Sequence, residues 1–204
     1  MKLYYGALSP FVRKVMVLAH EKNLVGELER VPAPLTPIEP NADLMRVNPL
    51  GKMPALALDD GTVLFDSPVV CEYLDTLGTG PRLFPASGAE RWRALRLNAL
   101  ADGLLDAAIN ARIETAVRPA EKQWDKWTES QLLKVRNSLD AMKDVYAPSR
   151  QSITIGEVAA GCALGWLDFR MPKLDWREGR AALAAWYEEF SKRPSMTATA
   201  PKAS

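Results

Sequence analysis

Two domains are predicted for this chain: a mixed α/β domain in residues 1–77 and an all-helical domain in residues 89–204. Segments with strand character occur only in the first 65 residues, where they alternate with helix starts, and only helical periodicity follows residue 88. Residues 78–88 contain three glycines and two prolines, a composition typical of a linker. The predicted fold class is therefore α/β plus all-α.

The first domain is expected to begin with a strand, a helix and a second strand. Residues 2–6 are rich in leucine and tyrosine and end at a glycine, which predicts a short strand. Ser9-Pro10 then supplies a serine N-cap and a proline for the first helical position, and apolar residues follow at helical spacing. A second strand is expected at residues 27–31, before a loop in which four prolines between residues 32 and 40 exclude regular structure.

The remainder of this domain is predicted to be a short helix, a hairpin and a longer helix. The short helix is expected at residues 42–47. Residues 55–58 and 62–65 flank Asp59-Asp60-Gly61, and Asp-Gly supplies the positive φ angles that a tight hairpin turn needs. Ser67-Pro68 repeats the serine cap and first-turn proline. The order βαβ then ββα is the thioredoxin-like arrangement, which predicts a mixed sheet.

The second domain is predicted to contain helices alone. Helical periodicity occurs in residues 89–117, 130–146 and 181–190. Thr154-Ile155-Gly156-Glu157 is a capping box, in which the threonine hydroxyl accepts from the glutamate amide and the glutamate side chain reaches back, so another helix is expected to begin there. The tail from Ser195 is expected to be frayed.

Charge and composition exclude several classes of protein. Of 204 residues, 48% are hydrophobic, and a net charge of +1 gives no field that favours nucleic acid or anionic lipid. No apolar leader follows Met1 and no run of about 18 apolar residues occurs, so we expect a cytoplasmic protein without a membrane segment. Cys71 and Cys162 are predicted to be buried, reduced thiols. Because His20 is the only histidine, a multi-histidine metal site is excluded, and no metal is expected.

The first candidate site is the predicted helix start at Ser9. A hydroxyl at a helix N-terminus lies where free backbone N–H groups and the positive end of the helix dipole favour an anion. A thiolate bound there would accept a hydrogen bond from Ser9, which would lower the pKa of the thiol. The alternative that these residues leave open is that Ser9 is only an N-cap.

Two further segments have features of a binding site. Lys52 is placed to meet a carboxylate, and a cis Pro54 would expose the Met53 backbone to an extended peptide ligand. At the second helix start, Ser67 offers N–H groups to a carboxylate while Asp66 suits an ammonium, a combination that fits an α-amino acid end group. The alternatives are an exposed lysine, a trans proline and a plain helix cap.

In order and spacing, these three segments resemble the glutathione transferase superfamily, most closely its serine-type members with an S-P-F entry motif. The resemblance extends over residues 2–194. Further matching segments are Asn48-Pro49-Leu50-Gly51-Lys52-Met53-Pro54, Phe65-Asp66-Ser67, Tyr73-Leu74, Leu83-Phe84-Pro85 and the Thr154 capping box. The resemblance implies an enzyme that takes glutathione as co-substrate and activates its thiol as a thiolate for attack on an electrophilic second substrate.

The resemblance also implies roles for single positions. Ser9 matches the serine that hydrogen-bonds the glutathione sulfur. Met53, with a cis Pro54, matches the residue whose backbone pairs with the cysteinyl part of glutathione. Lys52 matches a residue near the glycyl carboxylate.

Asp66 and Ser67 match the acidic–serine pair that binds the γ-glutamyl end, with aspartate where glutamate is common. Phe11 is implied to lie beside the cleft, in a packing or second-substrate role. Tyr5 is the competing catalyst, because some classes use a tyrosine late in the first strand. We favour Ser9 over Tyr5, and cysteine-type classes are disfavoured because neither cysteine lies at the first helix start.

The second substrate is an unidentified small electrophile. Asp102 and Asp106 belong to a polar stripe along the helix that begins near residue 89, and Arg112 follows them. One interpretation is a solvated face, and the other is that these three residues line the second-substrate cleft. Two alternatives to a transferase remain: a non-catalytic glutathione-binding or protein-interaction module, and a glutathione-dependent peroxidase or lyase.

A homodimer is expected, both from the resemblance and from an excess of apolar positions on two helices. The apolar positions are Val69, Val70, Tyr73, Leu95, Leu97 and Leu100, and the arginines between them are Arg91, Arg93 and Arg96. Arginine beside apolar anchors is common at interfaces between subunits.

Overall fold

The structure, a computed structural model, describes residues 1–142, 145 and 153–202. Its contacts divide the described chain into two compact units. The first unit consists of Met1–Ala86 together with the segment that begins at Pro194, and the second is Ser87–Arg193. The sequence had placed the C-terminal segment with the helical domain, whereas in the structure it packs in the first unit.

The first unit contains the four strands and four of the helices. In chain order these are β1 (Lys2–Tyr5), α1 (Pro10–Glu21), β2 (Glu29–Pro32), α2 (Ala42–Val47), β3 (Ala55–Ala57), β4 (Val63–Leu64) and α3 (Ser67–Leu77), with α8 (Pro194–Ala198) at the C-terminal end. A 3-10 turn at Val25–Glu27 delays the start of β2 by two residues relative to the prediction.

The sheet has the strand order β2-β1-β3-β4. β1 is parallel to β2 and antiparallel to β3, and β4 is antiparallel to β3. Leu3 pairs with Leu56 at the centre, and both side chains are fully buried. The predicted thioredoxin-like mixed sheet is confirmed.

The second unit is entirely helical in the residues described. Its elements are α4 (Gly88–Ala116), a 3-10 turn (Ala120–Lys122), α5 (Asp125–Ala141), α6 (Ile155–Arg170) and α7 (Ala181–Phe190). α5 begins five residues before the predicted start, and residues 143, 144 and 146 of that predicted helix lie outside the described residues. The Trp124 N–H donates to the Glu114 carboxylate at 2.8 Å, which holds the chain where α5 begins.

The prediction of a frayed tail was wrong for residues 195–198, and residues 203 and 204 of that tail lie outside the described residues. Ser195 and Met196 of α8 are buried, and the Arg13 guanidinium donates from Nη2 to the Met196 carbonyl at 3.1 Å. The Ser195 hydroxyl also donates to the Glu21 carboxylate. A short polar segment gave no sequence signal of burial because these contacts come from a helix more than 170 residues earlier in the chain.

A buried ion pair between Lys22, which follows α1, and Asp75 of α3 holds residues 80–84 of the predicted linker. Lys22 Nζ lies 3.3 Å from Asp75 Oδ1, with both side chains almost fully buried. Asp75 also accepts the N–H groups of Leu83 and Phe84 at 3.0 Å, and Lys22 donates to the carbonyls of residues 80 and 81. This network satisfies both buried charges and fixes the path of residues 80–84.

Two general expectations can be compared with the structure. Cys71 and Cys162 are buried and not joined in a disulfide, as predicted. Among the described residues, no helix is both long enough and apolar enough to cross a bilayer.

Candidate functional site

Sheet topology brings the three candidate segments to one edge. β3 is antiparallel to β1, with Ala55 opposite Tyr4, so the segment that precedes β3 lies beside the segment that follows β1. β4 is antiparallel to β3, so the segment that follows β4 lies at this edge as well. The structure therefore brings together the loop before α1, the Met53-Pro54 segment and the start of α3.

Ser9 is the N-cap of α1, as predicted. Its backbone is extended, its carbonyl accepts the Arg13 N–H at 3.0 Å, and its hydroxyl accepts the Val12 N–H at 3.3 Å. Pro10 has no N–H, and the Phe11 N–H has no acceptor within the helix. The Ser9 hydroxyl is half-buried, and in its capping role it is an acceptor, so its own proton remains available for donation to a ligand.

Met53 lies against the loop that carries Ser9. A Cβ at Gly6 would collide with the Met53 thioether sulfur, so a larger residue there would displace the Met53 side chain. The Ser9 N–H donates to the Gly6 carbonyl at 3.0 Å, which fixes the turn between β1 and α1. The Met53–Pro54 peptide bond is cis, and the Phe65–Asp66 bond is cis as well.

Asn48 organises the loop that presents Lys52. Its side chain is fully buried, donates from Nδ2 to the Lys52 carbonyl at 2.8 Å, and accepts the Leu50 N–H at 3.1 Å. Gly51 adopts a φ of 60° and donates to the Asn48 carbonyl at 2.8 Å. Lys52 itself is exposed, so its ammonium is accessible to a ligand carboxylate.

The start of α3 differs from the prediction in one respect. Asp66, not Ser67, is the N-cap: its backbone is extended and its carbonyl accepts the Val70 N–H at 3.0 Å. Ser67 is the first helical residue and is buried, with Pro68 next to it. The Asp66 carboxylate is exposed and makes no capping bond to the helix, so it is accessible from solvent at the positive end of the helix dipole.

Two positioning residues had no role assigned from the sequence alone. Asn48 and Gly6 form no part of the candidate ligand contacts, yet they hold Lys52 and Met53 in place. The asparagine before a proline is a turn signal, and a glycine directly after a strand is a signal of close approach. Both signals were present, but neither shows which residue is approached.

Comparison with known proteins agrees with this geometry. The family model of the glutathione S-transferase N-terminal domain matches residues 8–77, and that of the C-terminal domain matches residues 107–189. The chain belongs to the glutathione S-transferase superfamily. It is 32% identical to the uncharacterized GST-like protein YibF of Escherichia coli K12, over 98% of each chain.

Solved structures of this superfamily match closely. A glutathione transferase family member from Pseudomonas fluorescens Pf-5 with bound glutathione is 44% identical, with a TM-score of 0.94 over 99% of each chain. A second structure from that strain, with bound S-(propanoic acid)-glutathione, is 43% identical, with a TM-score of 0.89 over all of both chains. The chain is therefore of glutathione transferase type.

Tyr5, the competing candidate for the catalytic role, is the last residue of β1 and is half-buried. The Arg30 guanidinium lies over its ring, 5.8 Å from the centroid. Tyr5 also lines a cavity with residues of α1 and β2.

The residues expected to line the second-substrate cleft differ in their exposure to solvent. Phe11 is half-buried in the first turn of α1. In the helical unit, Asp102 is half-buried and accepts from Asn98 Nδ2 at 3.1 Å, and Asp106 is exposed. Arg112 is half-buried near Arg170, whose pKa is lowered by burial and by the Arg112 charge. Among the described residues, no cluster of three or more metal-ligating side chains occurs.

Proposed function

We propose that the chain is a cytoplasmic, serine-type glutathione transferase in which Ser9 stabilises the glutathione thiolate. The observation that supports this most directly is the hydrogen-bond state of Ser9: its oxygen accepts from Val12, which leaves its proton for a sulfur. Such a bond to a charged acceptor contributes about 1.5–3 kcal/mol, and one pKa unit corresponds to about 1.4 kcal/mol. A lowering of the glutathione thiol pKa by about one to two units is therefore within reach of this bond.

Glutathione would lie along the edge where the three segments meet. The Met53 backbone would pair with the cysteinyl part beside Pro54, and Lys52 would meet the glycyl carboxylate. The first-turn N–H groups at Ser67 would bind the γ-glutamyl carboxylate, and Asp66 would bind the γ-glutamyl ammonium. The exposure of Asp66 and Lys52 supports this assignment, because both charges are open to solvent at the same edge of the sheet.

The chemical step follows from a thiolate held beside Ser9. Its sulfur lone pair forms a bond to the electrophilic carbon of the second substrate. The electron pair of the bond that breaks leaves with a departing group or, in an addition, moves to the neighbouring atom and takes up a proton. The thiol proton has by then been released to solvent, so charge and atoms balance.

Carboxylate-bearing electrophiles are the first compounds to test as second substrates. The relative that is 43% identical binds a glutathione conjugate that carries a propanoic acid group. Phe11, Asp102, Asp106 and Arg112 remain the proposed lining of the second-substrate cleft, and of these Arg112 alone carries the charge that suits a carboxylate.

The test compares Ser9→Ala with Tyr5→Phe in a conjugation assay over a panel of electrophiles. We expect Ser9→Ala to lose most of the activity and Tyr5→Phe to retain it. The opposite result would transfer the catalytic role to Tyr5. Glutathione binding by calorimetry without turnover of any electrophile would favour a non-catalytic module, and turnover of peroxides or cleavage of thioethers alone would favour a peroxidase or lyase.

A homodimer is also proposed, on a narrower basis than the sequence suggested. Val70 and Leu97 are buried, and Arg93 is ion-paired with Glu157, so these three residues give no reason for an interface. Val69 is 47% exposed, and Trp92, which the sequence analysis did not name, is 69% exposed. Sedimentation velocity at micromolar concentration tests this proposal: we expect a species of twice the chain mass, and a single 22.5 kDa species would rule it out.

A further inference from the structure

A cavity of about 190 Å³ lies beside α1 in the first unit. It is bounded by the end of β1, one face of α1, β2 and the segment around α8. Arg13, Met16 and His20 line it at i, i+3 and i+7 of α1, so they share one helix face. No role in glutathione binding or in the chemical step is proposed for this face of α1.

The cavity is cationic. Arg13, His20 and Arg30 line it together with Tyr5, and no aspartate or glutamate does. Within the described part of the chain, none of the three basic side chains is ion-paired with a carboxylate. Three positive or protonatable groups around one small volume repel each other, and an anion between them would remove that repulsion.

Arg13 also offers a buried donor. Its Nη2 donates to the Met196 carbonyl at 3.1 Å, which anchors the guanidinium to α8. Its Nε is buried and has no hydrogen-bond partner among the described residues. A buried donor without an acceptor is unfavourable, and a bound oxyanion that reached Nε would supply one.

Arg30 lines the same cavity from β2. It lies on β2, is exposed, and its guanidinium stacks over the Tyr5 ring at 5.8 Å from the centroid. A guanidinium held over an aromatic ring is restricted in orientation, so less side-chain entropy is lost when it binds a ligand. Arg13 is anchored by α8 and Arg30 by Tyr5, and both residues line the same volume.

We propose that this cavity is a binding site for a small oxyanion, a carboxylate or phosphate group, held by Arg13 and Arg30 with His20 alongside. The site does not depend on the proposed transferase chemistry. Because Arg13 also contacts α8, an anion bound there would stabilise the packing of α8 on α1.

The experiment follows the Arg13 Nε–Hε resonance by NMR in the full chain, assigned with Arg13→Lys. Inorganic phosphate and malonate are titrated separately at constant ionic strength set by chloride, with glutathione present at saturation so that its own site is occupied. We expect a saturable shift of the Arg13 resonance with at least one of the two anions, and the two arms distinguish a phosphate from a carboxylate ligand.

Arg30→Gln should abolish the saturable shift, because it removes the second guanidinium from the cavity. Arg30 is exposed, so the substitution should leave the fold intact. Arg82→Gln, an exposed arginine of the same unit outside the cavity, should retain it. The proposal is overturned if the shift is absent or linear with both anions, or if Arg30→Gln titrates like the unchanged protein.

Discussion

The helix starts of the two units use similar residues in opposite ways. At α1 and α3, Ser9 and Asp66 cap the helix but keep a hydroxyl proton and a carboxylate open to the surface. At α6, Thr154 and Glu157 are buried and bonded to each other and to the helix. The difference indicates that a cap with open polar groups is suited to bind a ligand, whereas a fully satisfied cap contributes stability.

At the start of α6, the side chains of both capping residues are hydrogen-bonded within the protein. The Glu157 carboxylate accepts the Thr154 N–H at 2.7 Å and the Thr154 hydroxyl at 2.6 Å, and its other oxygen accepts from Arg93 Nη1 at 3.0 Å. A Cβ at Gly156 would lie 2.9 Å from the Leu97 side chain, so the helix can pack this closely against α4 only with glycine there. The Thr154 and Glu157 side chains are therefore both hydrogen-bonded within the protein.

The largest effect is expected from Glu157→Ala. The substitution leaves the buried Thr154 N–H and hydroxyl without their acceptor and removes one of the two carboxylates that pair with Arg93. Each buried group left without its partner costs about 1–3 kcal/mol. Urea denaturation followed by circular dichroism measures the free energy of unfolding. Glu129→Ala, an exposed glutamate of α5, is the control and should change little. Equal stability of the two variants would contradict the contrast between the helix starts.

Asp66→Asn should affect binding and leave stability nearly unchanged. The exposed carboxylate caps nothing with its side chain, but the γ-glutamyl ammonium would lose its partner. We expect glutathione affinity to fall about tenfold to a hundredfold, the equivalent of about 1.5–3 kcal/mol. Calorimetry measures the affinity, with Asp59→Asn, a carboxylate 92% exposed on the same unit, as control. An unchanged affinity in Asp66→Asn would remove Asp66 from the site.

Gly6→Ala tests whether the Ser9 loop and Met53 must stay in contact. The added Cβ would displace the Met53 thioether, and inserting a methyl group into a packed contact costs about 1–3 kcal/mol. The flexible thioether can move, so we expect a change near the lower end of this range, appearing mainly as weaker glutathione binding. Gly26→Ala, where a Cβ meets nothing, is the matched control. Equal glutathione affinities in the two variants would contradict a role for this contact.

Lys52→Ala should have the smallest effect. An exposed ion pair contributes about 0.2–1 kcal/mol and is screened by salt. We expect glutathione affinity to fall by less than about sixfold and the difference from the unchanged protein to shrink as salt is added. Lys2→Ala, another exposed lysine of the first unit, serves as control. A larger loss of glutathione affinity that does not depend on salt would contradict an exposed ion pair. It would indicate that the substitution disturbs the loop held by Asn48.

Much of the architecture could be predicted because its signals are local. The Ser9-Pro10 cap, the short helix at α2 and the Thr154 capping box each depend on residues within one helical turn, and all three are confirmed. The hairpin was predicted from the Asp-Gly turn, where the Asp60 carboxylate accepts the Thr62 N–H at 2.8 Å. That bond lowers the pKa of Asp60, as expected for a carboxylate that stabilises a turn.

The errors arose where tertiary contacts decide the outcome. Ser67 and Asp66 are both acceptable caps, and only the backbone path out of β4 determines that Asp66 takes the role. The burial of α8 depends on Arg13 and Glu21, which lie far away in the sequence. The candidate site followed the same rule: the residues proposed to bind the ligand belong to local motifs, whereas the contact between Gly6 and Met53 required the fold.

The open hydroxyl of Ser9 is proposed to stabilise the glutathione thiolate. A pH titration of the ultraviolet absorbance of protein-bound glutathione measures the pKa of its thiol directly. We expect this pKa to lie below that of free glutathione, to rise by about one to two units in Ser9→Ala, and to remain unchanged in Tyr5→Phe. A bound thiol whose pKa is the same in Ser9→Ala as in the unchanged protein would contradict the account.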